Sequence, residues 1–259
     1  MNPPVALTVA GTDSGGAAGT AADLATFAAL GVHGACVITA VTAQDTTGVS
    51  DIHAIPVATV EAQLHAVFAD LPVAAVKTGM LGSAEAVELV ARLCAGRPLV
   101  VDPVLVATSG AVLGGEDVRR AYLDHLLPVA TVLTPNLDEA RALAGHDGSP
   151  EELAEELAGM KPAVIVTGGD PEATGACTDW LAEPGRPPIP LTHPAVPTKN
   201  DHGTGCTYSS ALAAHLAHGA PLREAAEQAA AYVTRQLTRS QHWTLGRGRG
   251  PIAHTKETA

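Results

Sequence analysis

The sequence predicts an α/β fold with a mostly parallel central sheet covered by helices on both faces. Three observations carry this reading. Apolar runs of strand length alternate with Ala- and Leu-rich helical stretches along most of the 259 residues, as repeated βαβ units require. The strand runs are continuously apolar, which suits strands buried on both faces. A hydrophobic content of 46% against 16% charged residues supplies core for one large domain over residues 1–259 and excludes a disordered chain.

The elements follow in order. Val5–Ala10 reads as a buried strand and Ala21–Leu30 as a helix closed by Gly31. Ala35–Ala43 is the next strand, Val57–Asp70 a helix and Val73–Lys77 a strand. Ser83 caps a helix running through Cys94, with Glu85 in its first turn. Pro98–Val101, Thr131–Leu133 and Ala163–Thr167 are further strands, and Ser149–Gly159 is a helix with Pro150 at its first position. Prolines crowd the stretch from Pro171 to Pro197, so the short runs Cys177–Leu181 and Ile189–Thr192 form an antiparallel hairpin at a sheet edge. Two helices follow, Cys206–His218 stopped by Gly219, and Pro221–Arg239. The Gly- and Arg-rich tail after Gln241 is expected to be partly mobile.

Charge and cysteine usage narrow the function. The net charge of −12, with no Lys or Arg before Lys77, argues against nucleic-acid or anionic-membrane partners. A secretory signal needs a basic start, so none is expected in the first residues. Leu24–Gln44 carries no Asp, Glu, Lys or Arg, but Gly31, His33, Gly34 and several Thr make it a helix end, a turn and a strand rather than a membrane span. Cys36, Cys94, Cys177 and Cys206 have neither CxxC spacing nor paired histidines, so no zinc site or disulfide framework is expected. The expectation is a soluble cytoplasmic protein.

Ligands of open α/β sheets bind beyond the carboxyl ends of the strands, and the segments there are the candidate site. Gly11-Thr12-Asp13-Ser14-Gly15-Gly16 lacks both the GxGxxG spacing and the P-loop ending; its glycines permit close approach of a ligand or simply make a turn. Asp23, near the start of the following helix, suits either the helix dipole or a ligand amine. Gln44 offers a planar donor–acceptor pair for a heteroaromatic edge, or an ordinary exposed turn residue. Met80 adapts to a flat apolar ligand or fills core. Asp102 and Val104 follow another strand. Asn136 and Glu139, at i and i+3, form a plain capping box or share a hydrated Mg²⁺. The sharpest segment is Lys199-Asn200-Asp201-His202-Gly203-Thr204-Gly205-Cys206 at a helix entrance. Its free backbone N–H groups favour the charge of a transferring phosphoryl group, and a cysteine there is expected to have a thiol shifted toward thiolate.

Taken in order, Gly11–Gly16, Ala22-Asp23-Leu24, Val41-Thr42-Ala43-Gln44, Lys77-Thr78-Gly79-Met80-Leu81, Val101-Asp102-Pro103-Val104, Thr134-Pro135-Asn136, Gly168-Gly169 and His202-Gly203-Thr204-Gly205-Cys206-Thr207 resemble the hydroxymethylpyrimidine/phosphomethylpyrimidine kinases of the ribokinase-like superfamily. The resemblance runs from about Ala6 to Pro251. It implies a three-layer α/β/α fold, a homodimer, and two successive ATP- and Mg²⁺-dependent phosphorylations of 4-amino-5-hydroxymethyl-2-methylpyrimidine in thiamine biosynthesis. By the same resemblance, Gly11, Asp23, Gln44, Met80 and Val104 line the ring pocket. Asn136, Thr167, Gly168 and Gly169 serve the nucleotide, Glu139 and Asp102 the metal, and Gly203, Thr204, Gly205 and Cys206 the anion hole and reacting oxygen. The chain departs from the family pattern at Thr108 and Thr167, where lysine is common, and at Asp201, where threonine is common. Those departures are expected to weaken nucleotide binding unless something compensates. Two other readings stay open: a pyridoxal kinase of the same subgroup, and a homologue that binds the ring without efficient turnover.

Overall fold

A computed structural model of the chain describes residues 2–105, 115–168 and 175–255. The chain runs β1 (Val5–Ala10), α1 (Gly19–Ala29), β2 (His33–Ile38), β3 (Ala40–Asp45), β4 (Gly48–Ala54), α2 (Val57–Asp70), β5 (Val73–Thr78), α3 (Ala84–Cys94), β6 (Leu99–Val101), α4 (Glu116–Ala121), β7 (Val132–Leu133), α5 (Leu137–Ala144), α6 (Pro150–Ala158), β8 (Ala163–Val166), β9 (Ala176–Ala182), β10 (Ile189–Pro194), α7 (Thr204–Ala217) and α8 (Leu222–Ser240). An eight-stranded sheet has the order β10-β9-β8-β7-β6-β5-β1-β2. Strands β1, β2 and β5 to β8 are parallel, and β9 and β10 are antiparallel at one edge, where the proline punctuation predicts a hairpin.

Alternation along the strands builds two cores. Leu7, Val9, Val76, Leu99, Val101 and Leu133 pack toward α2 to α6, whereas Ala6, Val100, Val132 and Ile165 pack toward α1, α7 and α8. The result is three layers, helices–sheet–helices. The same alternation aims Thr8 of β1 and Lys77 of β5, neighbours in register, into the α1/α7 side. Chain order reverses between β1 and β5: β2 lies on one side of β1, and β5 to β8 on the other. The crevice beyond the carboxyl ends of β1 and β5 is therefore the topological switch point, where α/β proteins of this kind bind ligands.

The strand expected over Ala35–Ala43 is two strands. Thr39 breaks it: its N–H donates to the Ala10 carbonyl (3.1 Å) and its hydroxyl to the Met80 carbonyl (2.6 Å). Beyond Thr39 the chain leaves the main sheet, and β3 pairs antiparallel with β4 in a separate two-stranded flap. The flap strand β4, the short helix α4 and the π turn Tyr122–Leu126 after it have no counterpart in the sequence reading. Residues 242–255, expected to be partly mobile, are tied to the body of the domain. Main-chain bonds tie them to the loop before α7, from His202 N–H to Gly250 O (3.0 Å), Ile252 N–H to His202 O (3.0 Å) and Gly250 N–H to Lys199 O (3.1 Å). Ile252 and Ala253 are buried in the core on that side. Among the described residues no helix is long and apolar enough to cross a membrane.

Candidate active site

The crevice is built from backbone first. Gly11 ends β1, and a β-carbon there would stand 2.5 Å from the Met80 methyl, so this glycine lets Met80 lie across the strand end. Gly203 caps α7 in the left-handed region (φ +90°), with the Ala17 carbonyl where a side chain would go. That contact presses the first loop against the entrance of α7. A side chain at Gly203 would separate them and strain the backbone. Thr204 secures the turn by donating its hydroxyl to the Asp201 carbonyl (2.6 Å). Gly205 and Cys206 then occupy the second and third helical positions, whose N–H groups have no carbonyl one turn back within the helix. These are the open donors that the sequence predicts at this helix entrance.

Beneath them lies a buried charge network. Lys77 Nζ sits 2.9 Å from Asp23 Oδ1 and 3.8 Å from Asp102 Oδ2, with no side-chain exposure at Lys77 or Asp23. The Asp23 carboxylate also accepts from Thr8 (2.6 Å) and Ser210 (2.6 Å). Asp102 accepts from Ser209 (3.0 Å) and from the Cys206 thiol. Burial alone would lower the Lys77 pKa, but Asp23, and Asp102 after it, raise it, so the amine stays charged. Asp23 lies beyond the first turn of α1, buried, with its oxygens held by Lys77, Thr8 and Ser210.

The same network corrects Cys206. Burial, with Asp102 and Asp23 close by, pushes its thiol up to about 12, against the lowering effects of Lys77 and the Gly19 N–H. The helix entrance does not win, and Cys206 is a neutral thiol.

Beyond β7, Asn136 and Glu139 form a full capping box. Asn136 Oδ1 accepts from Glu139 N–H (2.9 Å), and Glu139 Oε2 accepts from Asn136 N–H (3.0 Å). Yet Glu139 is buried, and burial followed by the nearby Asp102 pushes its carboxyl up to about 8. Asp102 is raised as well, by burial first and Asp23 next. Two buried carboxylates that both resist ionisation match what a divalent cation relieves. Among the described residues no group of three His, Cys, Asp or Glu could hold a metal. Two carboxylates with phosphate and water completing the shell is the habit of Mg²⁺.

Thr167 follows β8, with its N–H on the Pro135 carbonyl (2.9 Å) and its chain bridged to Asn136. Gly168, expected to serve the nucleotide, has its N–H committed to Asp179 Oδ1 (3.0 Å), so that donor is not available to a phosphate. Gly169 and Thr108 lie outside the described residues. Val104, half-buried, turns back on Asp102 through a 2.9 Å main-chain bond at the mouth of the crevice.

At the flap end of the crevice, Gln44 stands on strand β3, half-buried, 3.2 Å from His202 Nε2. His202 Nε2 is also 3.3 Å from Asp13 Oδ2. A cavity of about 310 Å³ opens between Gln44, the flap turn, His202, Gly248 and Arg249. Arg249 accounts for the unusual Asp201: its guanidinium grips that carboxylate from two sides, with Nε 2.8 Å from Oδ1, and neutralises the charge near the anion hole. Arg247 pairs with Asp45 of the flap through one contact, Nη2 to Oδ2 (2.7 Å). Lys77, Ser209, Ser210, His202, Asp13 and Arg249 are site residues to which the sequence reading assigns no role. Only Lys77 gives a usable signal, as a lone cation in an otherwise apolar strand.

Comparisons with known proteins give the family. The family described as phosphomethylpyrimidine kinase matches residues 13–253. The hydroxymethylpyrimidine/phosphomethylpyrimidine kinase of Rhizobium meliloti is 45% identical over 258 residues, covering 96% of each chain. Among solved structures, an ADP complex of Bacillus subtilis pyridoxal kinase superposes with a TM-score of 0.87 at 32% identity, over 97% of each chain. A phosphomethylpyrimidine kinase from Clostridium difficile 630 does so with a TM-score of 0.76 at 34% identity, over 90% of this chain and 98% of that one. The chain belongs to the phosphomethylpyrimidine kinase family.

Proposed function

We propose that the protein transfers the γ-phosphoryl group of ATP to 4-amino-5-hydroxymethyl-2-methylpyrimidine and then to its monophosphate, as a kinase of thiamine biosynthesis. The observation that carries this is the pairing of a planar amide, Gln44, at one end of the crevice with the open N–H groups of Gly205 and Cys206 at the other. A flat ring held at Gln44 and over Met80 and Gly11 directs its hydroxymethyl arm toward Cys206. The ring wall is completed by Val104. The curated relatives favour the pyrimidine over pyridoxal as the ring.

Asp102 and Glu139 would hold Mg²⁺, which supplies charge neutralisation on the phosphates. The chain's own residues do the rest. Thr204, Gly205 and Cys206 present the helix N-terminus to the charge that develops on the transferring group. The substrate oxygen forms a bond to phosphorus as the bond to the ADP oxygen breaks. In a loose transition state that oxygen gains little bonding early, so its proton leaves late, onto an oxygen of the transferred phosphoryl group and from there to water, and no resting thiolate is needed. Cys206, neutral and hydrogen-bonded to Asp102, shapes the wall beside that oxygen rather than acting as a ready base. Lys77 and Asp23 position this wall from below: the ammonium holds Asp102 in reach of Cys206, and Asp23 holds the ammonium. Asn136, Thr167 and Gly168 form the nucleotide side, with Asn136 fixing Glu139 and Asp179 fixing Gly168.

With this reading go two finer expectations, a homodimeric assembly and a cytoplasmic enzyme. Sedimentation of the purified chain tests the first. The function itself is tested by ADP release with Mg-ATP, running hydroxymethylpyrimidine, its monophosphate and pyridoxal in parallel. Turnover of both pyrimidines is the expected result. Turnover of pyridoxal alone, or of none, overturns it.

A further inference from the structure

We propose that His202 is a specificity-determining positioning residue: held by Asp13, it fixes which way the Gln44 amide faces and so sets the donor–acceptor register in which the ring is read. The inference rests on the reading of Gln44 as the ring-binding amide.

Proton placement starts from Asp13, a carboxylate. Burial would raise its pKa, but His202 and the Ala18 and Gly15 N–H groups outweigh that and lower it. Its Oδ1 accepts from Gly15 N–H (2.8 Å) and its Oδ2 from Ala17 (3.1 Å) and Ala18 (2.9 Å). His202 Nε2 stands 3.3 Å from that same Oδ2. A lone pair facing a carboxylate oxygen at this range repels, so Nε2 carries the ring proton whether the imidazole is neutral or charged. The protonated Nε2 has no lone pair left to accept from Gln44 at 3.2 Å.

Two contacts then decide the amide. As placed, Gln44 turns Nε2 toward His202 and Oε1 toward the Thr42 hydroxyl at 3.5 Å. Both contacts pair the wrong atoms. The first sets N–H against N–H. In the second, the single Thr42 proton already goes to the Thr12 carbonyl at 2.8 Å. Amide oxygen and nitrogen are nearly isosteric, so proton count rather than shape decides their places. Turning the Gln44 amide by half a revolution relieves both: Oε1 becomes a second acceptor that shares the His202 Nε2–H with Asp13 Oδ2, and the NH₂ donates to the Thr42 oxygen. The remaining lone pair lies on the His202 side and the remaining N–H on the Thr42 side. Together they read a ring nitrogen beside an exocyclic amine in one register only. An aminopyrimidine has that edge; pyridoxal, without the amine, uses half of it.

The test is steady-state kinetics with hydroxymethylpyrimidine and with pyridoxal at saturating Mg-ATP, for the full chain and for Gln44→Ala, His202→Leu and His202→Gln. Gln44→Ala is expected to raise the pyrimidine KM. His202→Leu keeps bulk but removes the proton, and is expected to raise the pyrimidine KM about tenfold, the scale of one or two hydrogen bonds, while kcat and the pyridoxal KM change little. His202→Gln restores an N–H and is expected to recover most of the loss. An unchanged pyrimidine KM in Gln44→Ala overturns the ring-site reading itself. A raised KM in Gln44→Ala with a normal one in His202→Leu, or equal losses in KM and kcat for both rings, overturns only the role of His202. Should His202→Leu fail to fold, ¹⁵N-histidine NMR of the intact protein, with the His202 signals assigned from His202→Gln, reads the proton directly. Protonation at Nε2 is expected, and a bare Nε2 overturns the proposal.

Discussion

At the ring end of the crevice, polar groups are matched to protein partners before any ligand arrives: Asp13 to three N–H groups and His202, Asp201 to Arg249, and Asp45 to Arg247. At the phosphate end, Asp102 and Glu139 crowd each other under burial with one ammonium, Lys77, within 3.8 Å of the former. The first region is finished without ligand. In the second, burial raises both carboxyls above the ordinary range, as suits a site that a cation would complete. The difference matches the task, since a neutral ring needs a rigid frame, whereas ATP brings its metal with it.

The largest expected effect comes from breaking the network that lies under both regions. Lys77→Met leaves the buried Asp23 carboxyl without its ammonium partner, and is expected to cost about 3–5 kcal/mol, read by urea denaturation, with turnover lost. The double variant Lys77→Met/Asp23→Asn is expected to regain part of that stability. If Lys77→Met is as stable as the native chain, the two regions do not share a foundation.

Next in size is the phosphate end. Glu139→Gln is expected to leave the metal-free protein equally or more stable, because it removes a carboxylate that burial disfavours, and to abolish the rise in Tm that Mg-nucleotide gives the native chain. A native Mg-nucleotide shift that survives in Glu139→Gln would take this residue out of the metal site. Cys206 sharpens the contrast more gently. With its thiol at about 12, alkylation by iodoacetamide in the ligand-free protein is expected to be slower at Cys206 than at an unhindered cysteine, mapped by peptide mass. Cys206→Ala is expected to lower turnover more than ring affinity. Rapid alkylation at neutral pH would restore a thiolate.

The smallest effect concerns the Gly168 turn. Asp179 holds both Gly168 N–H and His193, 3.3 Å away, and its hydrogen bond raises the His193 pKa above the ordinary histidine value despite burial. A raised histidine stabilises fully below its unfolded value of about 6.5. The contribution fades as pH rises through the higher folded value. Denaturation midpoints across neutral pH should therefore fall more steeply for the native chain than for His193→Gln. Parallel curves would mean that the pair contributes nothing.

Much of the molecule is legible in its residues, and the rest is hidden for physical reasons. The strand and helix order, the edge hairpin and the open entrance of α7 follow from apolar period, proline and glycine placement, all local signals. The break at Thr39 is not legible, because a hydroxyl that leaves its strand to bond Met80 looks like any strand threonine. Asp23 and Lys77 are 54 positions apart, and their pairing needs the register of β1 with β5. Cys206 misleads for the same reason: the helix entrance is local, but the burial that raises the thiol, with Asp102 and Asp23 adding to it, comes from elsewhere in the fold. Asp201 looks like a loss in sequence because Arg249, which neutralises it, lies 48 positions on.

The most direct test of the contrast between the two ends is calorimetry of hydroxymethylpyrimidine binding to the protein free of metal and nucleotide, repeated with a non-hydrolysable Mg-ATP analogue. A finished ring end predicts binding in both titrations, with affinities within about threefold of each other, less than about 1 kcal/mol. Heat that appears only once the Mg-nucleotide is present would contradict it, and would mean that the ring site is assembled by the phosphate end.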